Sequence, residues 1–296
     1  MTRNSSLIRI AVLCLIVFAM PANAAPSKNR SAPKQKVEQQ EHFAPYHKPF
    51  KTSTNSAAVN AFKHGKALND SGQYESAVLE FSLALRFDPH YEDARAERAG
   101  VYFFQLCDNN SALDDFNILV KANPGESFFL VHRARVLTVL RRYNEAIADF
   151  TKALQLDPHR YHIYRQRGDD WAGLGQWRKA CDDYAKWCKI GGIVRDTDYF
   201  LLGDCHQRLG QLTEAIHDYD CALKLNQKDD HAYFKRADAY FKAGEYARAV
   251  EDYTQALSLD PESPSRVLEA RARAYRKLGK FNLAARDSEA AGRAGD

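Results

Sequence analysis

The chain has 296 residues, 45% of them hydrophobic and 27% charged, which is an ordinary globular balance. Its formal charge of +4 is unevenly spread: residues 1–24 carry two arginines and no acid, and residues 25–56 hold six Lys/Arg against two Glu. The remainder is close to neutral, without the basic face that neutralises phosphates, so nucleic acid is excluded as a partner.

The first element is a leader. Arg3 and Arg9 precede an unbroken apolar run from Ile10 to Met20, Pro21 breaks it, and Ala22-Asn23-Ala24 offers small residues on either side of a cleavage point. This is the layout of a secretory signal peptide removed after Ala24. The run is too short to cross a bilayer of about 30 Å, so no stable membrane insertion is expected once the signal is cut. The chain is therefore expected to be exported, to a bacterial periplasm or envelope or to the medium. Residues 25–56, rich in Pro, Ser, Lys and Gln with no period, read as a disordered linker. Phe43, Tyr46 and Phe50, flanked by basic residues, could make a short docking segment within it.

From residue 57 onward the chain repeats itself. AVLEFSLALRFDP at 77–89, AIADFTKALQLDP at 146–158 and AVEDYTQALSLDP at 249–261 are near copies. The alanine that opens each phrase recurs at 77, 112, 146, 180, 215, 249 and 284, a period of 34 or 35. Twelve residues earlier stands a small residue in most cases (such as Gly65, Ala134, Gly168, Gly203, Ala237 and Ala272), and four residues later an aromatic in six (Phe81, Phe116, Phe150, Tyr184, Tyr219, Tyr253). Each half-repeat has helical spacing. A glycine such as Gly72, Gly175 or Gly244 closes the first helix, and a proline such as Pro89, Pro158 or Pro261 stops the second. Repeats of this length mark stacked helix pairs. The units lie near 58–91, 92–126, 127–160, 161–195, 196–229, 230–264 and 265–296.

This pattern resembles the tetratricopeptide repeat family over about residues 57–294. The resemblance implies an all-α, right-handed superhelical solenoid of about seven helix-turn-helix repeats, with the first helix of each pair lining a concave groove. Groove positions then fall on Phe128, Arg135, Arg165, Asp169 and Phe200, and further along on Asp204, His231, Phe234, Asp238 and Arg273. Aromatics beside charges of both signs suit an extended peptide. A Lys/Asn clamp for a C-terminal carboxylate, as chaperone-binding relatives carry, would fall at Phe62 and Lys66 and is absent. The fourth unit departs from the pattern, with Trp187 in a small-residue slot and Gly191-Gly192 in the turn. The seventh has Ser288 for its aromatic, and its small, polar last helix is expected to serve as a water-facing cap.

Five cysteines follow the leader. Their simplest role is as small core residues. In an oxidising compartment a Cys181–Cys205 disulfide becomes available, since the second helix of unit four should run antiparallel to the first of unit five. No catalytic constellation is visible. His159 and His162 straddle a turn with no third metal ligand, and Asp114-Asp115 and Asp182-Asp183 recur as solvated helix-face residues. The expected function is non-enzymatic, with no cofactor and no metal: an interaction scaffold that binds a protein or peptide in its groove. Self-association, or recognition of an envelope glycan, is the alternative.

Overall fold

The computed structural model describes residues 52–190, 194–259 and 261–295, so the leader, the linker as far as residue 51 and Gly191-Gly192 lie outside the described residues. Those residues form fourteen α-helices and no strand. They gather into two compact units that divide between Arg160 and Tyr161. The first unit holds three hairpins: α1 (Ser56–Asp70) with α2 (Tyr74–Phe87), α3 (Glu92–Phe104) with α4 (Asn109–Ala122), and α5 (Ser127–Val139) with α6 (Tyr143–Leu156). The second holds four: α7 (His162–Gly173) with α8 (Trp177–Ile190), α9 (Asp196–Arg208) with α10 (Leu212–Leu225), α11 (Asp230–Lys242) with α12 (Tyr246–Ser258), and α13 (Pro264–Lys277) with α14 (Phe281–Gly295). Each helix packs on its hairpin partner, and within each unit on the next hairpin. This is an all-α helical-repeat solenoid.

The repeat consensus explains the hairpins. Ala77, Ala112, Ala146, Ala180, Ala215 and Ala249 have no solvent-exposed surface. Each lets its helix close on the partner, and the aromatic one turn later fills the space beside it. Gly168 and Gly203 lie directly under those rings: a Cβ built there would stand 2.8 Å from Tyr184 and Tyr219 respectively. The turn within every hairpin contains one left-handed residue, five positions before the alanine. In five hairpins it is glycine, with φ from 70° to 83°, and in the other two it is Cys107 (φ 55°) and Arg141 (φ 58°). Short polar side chains cap three of the helix starts directly. Asn55, Asp108 and Asp229 accept backbone N–H bonds from the first turns of α1, α4 and α11.

The two irregular repeats behave differently. In the fourth, α8 is continuous through Trp187, whose ring N–H is buried without a hydrogen-bond partner. In the seventh, Ala284, Asp287 and Ala291 are buried. The outer face of α14 is less polar than expected, because Phe281 is 68% and Leu283 39% exposed. Phe281 occupies the slot of Tyr246, which packs edge-on against Phe241.

Candidate functional site

An arginine–aspartate ladder that the sequence reading missed runs through the hairpins. Arg133 donates two bonds to Asp149, at 2.7 Å each. Arg167 does the same to Asp183 (2.7 and 2.8 Å), Arg236 to Asp252 (both 2.7 Å) and Arg271 to Asp287 (2.8 and 2.9 Å). Arg98 holds Asp115 in the same way. Asp115 and Asp183 are each 3% exposed, which corrects their reading as solvated residues; Asp114 and Asp182 are the exposed members of those pairs. A carboxylate this deep is retained because a planar guanidinium satisfies both its oxygens. The third arm of the arginine reaches the second helix of the preceding repeat: Arg98 to Ser82, Arg133 to Asn117, Arg236 to Asp220 and Arg271 to Thr254. Each of these four arginines thus ties three helices together. Its signal in the sequence was an Arg thirteen residues before the alanine, or fourteen in the second repeat, and an Asp three after it.

The fifth repeat breaks the ladder. Leu202, buried, stands where the arginine belongs, and His206 one turn later holds Asp218 instead, with Nδ1 2.6 Å from the carboxylate. That bond comes first, and a second with the Cys181 thiol next, in pushing the imidazole up to about 10. His217 lies on the other carboxylate oxygen at 3.5 Å.

The predicted groove residues divide by compact unit. In the first, Phe128 and Arg135 are each only 7% exposed, so neither is the open contact residue expected. Phe128 packs against His132 with ring centroids 4.3 Å apart. Burial, with Arg160 nearby, lowers the Arg135 guanidinium to about 10. Asp93 lies on the same series of first helices. Burial, then Glu97 and Glu92, push its carboxyl up to about 6 despite Lys66.

In the second unit the predicted residues form a connected row. Arg165 binds Asp198 of the next first helix at 2.8 Å and Asp169 at 3.6 Å. Asp198 also accepts the Arg195 backbone N–H and so caps α9. Asp169 accepts the Tyr184 hydroxyl at 2.6 Å, and Asp238 the Tyr253 hydroxyl at 2.5 Å. Asp204 receives Lys235 at 2.6 Å and Arg208 at 3.0 Å. Although burial works the other way, these two cations hold its carboxyl below the usual range. Half-buried Phe200 leans on Tyr219 and on exposed His231, at centroid distances of 5.7 and 5.9 Å. Phe234, 6% exposed, is packing rather than contact surface: it lies on Tyr253, and the Arg266 guanidinium covers it at 4.7 Å. Arg273 is exposed. Cys181 and Cys205 are both free thiols and share one buried cluster with Ala180, Tyr184 and Leu202.

Among the described residues no three His, Cys, Asp or Glu side chains are grouped to hold a metal, and no helix is long and apolar enough to cross a membrane.

Comparison with known proteins agrees with the repeat geometry. The tetratricopeptide repeat family matches residues 127–160 and again 200–264. These two segments carry tetratricopeptide repeats. It is 29% identical over 185 residues to human tetratricopeptide repeat protein 13, covering 60% of this chain and 21% of that one. It is 26% identical over 140 residues to a DnaJ homolog subfamily C member 7 homolog of Dictyostelium discoideum, covering 42% and 26%. The chain thus spans about a fifth to a quarter of these curated relatives. Two solved structures share the fold. YrrB, described as a TPR protein with an unusual peptide-binding site, superposes with a TM-score of 0.55 at 20% identity, over 60% of this chain and 91% of its own. The C-terminal part of a TPR repeat-containing protein from Cytophaga hutchinsonii gives 0.63 at 17% identity, over 79% and 93%.

Proposed function

We propose that this tetratricopeptide-repeat chain is an exported, non-enzymatic scaffold that takes an extended peptide of a partner protein across the first helices of its second compact unit. The observation that carries the reading is the row Arg165, Asp169, Phe200, Asp204, His231 and Arg273. Its charges are braced by neighbours on successive first helices, as in Arg165–Asp198 and Asp204–Lys235, so the row is preorganised rather than loose. Half-buried Phe200 with exposed His231 offers apolar and hydrogen-bonding contact side by side, as peptide recognition needs. The apolar signal at residues 10–20 supports export, and the leader would direct the scaffold to an envelope or secreted setting.

The test is selection from a random peptide library, followed by calorimetry on wild type, Phe200→Ala and His231→Ala. Either substitution is expected to weaken a selected peptide at least tenfold, while an exposed second-helix control, Lys152→Ala, leaves it unchanged. Equal binding by all four proteins would overturn the placement. Retention of cell-wall glycan fragments with no peptide selected would favour the glycan reading, and concentration-dependent self-association that Phe281→Ala abolishes would favour self-assembly. N-terminal sequencing of the exported product tests the leader, with Ala25 expected first.

A further inference from the structure

We infer that the junction of repeats four and five is a dithiol site, where Cys181 of α8 and Cys205 of α9 close to a disulfide and replace the missing ionic stitch. Four of the five cysteines beyond the leader fall on three consecutive helices here: Cys181, Cys188, Cys205 and Cys221. Cys181 and Cys205 lie in the same buried cluster, on helices that pack together, and Cys181 is among the groups that raise the Cys205 thiol. Leu202, the side chain that breaks the arginine ladder, belongs to that same cluster. An arginine there would bond Asp218 on α10. Leucine cannot, and His206 takes over Asp218 instead, with the Cys181 thiol among the groups that raise its imidazole. The repeat boundary without a guanidinium is therefore the one that holds a buried thiol pair.

The chemistry is thiol–disulfide exchange with a small-molecule disulfide. One protein sulfur, as thiolate, attacks the reagent, forming a mixed disulfide and expelling one reagent thiolate. The second protein sulfur, after losing its proton, attacks the mixed disulfide at the protein sulfur and expels the second. Two protein thiols are oxidised to one disulfide, one reagent disulfide is reduced to two thiols, and the two protons end on the leaving groups. Both sulfurs are buried, so exchange proceeds from a locally opened state. Cys188 and Cys221 are the rival pair. They are half-buried, and burial pushes the thiol of Cys188, up to about 12, and that of Cys221 above the ordinary range.

The experiment equilibrates the purified full-length protein in reduced and oxidised glutathione at graded ratios, quenches with acid and maps non-reduced peptides by mass spectrometry. One cross-linked peptide joining Cys181 to Cys205 is expected, two hydrogens lighter than its parts. The oxidised protein should melt roughly 5–10 °C above the reduced one, a rise that Cys181→Ala and Cys205→Ala each abolish. Two free thiols at the most oxidising ratio, a Cys188–Cys221 link in their place, or a melting shift that survives Cys205→Ala would each overturn the inference. Should Cys181→Ala fail to fold, the wild-type peptide map and Cys205→Ala decide alone. Peptide binding is not a readout, so the result is independent of the scaffold reading.

Discussion

Arg141 holds a left-handed backbone conformation that five of the other hairpins give to glycine, and its side chain is exposed. An L-residue with a Cβ is strained there by about 1–2 kcal/mol, partly offset by the larger unfolded-state entropy of glycine. Arg141→Gly should therefore raise stability by about 0.5–1 kcal/mol, measured by urea unfolding. Two titrating side chains make opposite tests. The His206 imidazole is raised from its ordinary value to about 10, so its contribution is complete below pH 6.5 and disappears as pH rises through about 10. His206→Gln should be less stable than wild type at pH 6, and the gap should close by about pH 10. Asp93 is likewise raised, to about 6, but here the charged form is the strained one. Its favourable share is present below pH 3.8 and lost as pH rises through 6, so Asp93→Asn should match wild type near pH 3 and exceed it at pH 7.

At the scale of helices, the arginine ladder decides which element boundaries are strong. Removing Arg236 leaves Asp252 buried without the guanidinium that satisfied both its oxygens, and Arg236→Met should cost about 2–4 kcal/mol. Changing both residues, as Arg236→Met with Asp252→Leu, should recover most of that loss, because a packed apolar pair needs no charge compensation. The hairpins themselves were legible in the sequence. Alanine, aromatic and turn glycine act within one helix or one turn, and the structure places Ala146, Phe150 and Gly175 as their spacing implied. The ladder was not legible, because its two ends lie in different helices and each alone looks like a surface charge. Arg133 and Asp149 meet only after the hairpin closes. Phe128, Arg135 and Phe234 were misplaced for the same reason: helix position shows which way a side chain starts, not what neighbouring repeats lay over it.

For the whole molecule, the division between Arg160 and Tyr161 matters more than the repeat count. Repeat arrays gain stability from nearest neighbours, so two compact units need not melt together. Scanning calorimetry should resolve two transitions, with Arg133→Met lowering only one and Arg236→Met only the other; a single transition shifted equally by both would reject this. The units also differ at the consensus aromatic. It is Phe81, Phe116 and Phe150 in the first, and Tyr184, Tyr219 and Tyr253 in the second, where the hydroxyls reach Asp169, Gln207 and Asp238. Burial, foremost, drives all three phenols far above their ordinary range. In an alkaline ultraviolet titration these three would therefore stay silent while surface phenols turn to phenolate. Their late, abrupt absorbance would time the collapse of the second unit, and the first unit, with phenylalanine in those slots, would leave that step unmarked.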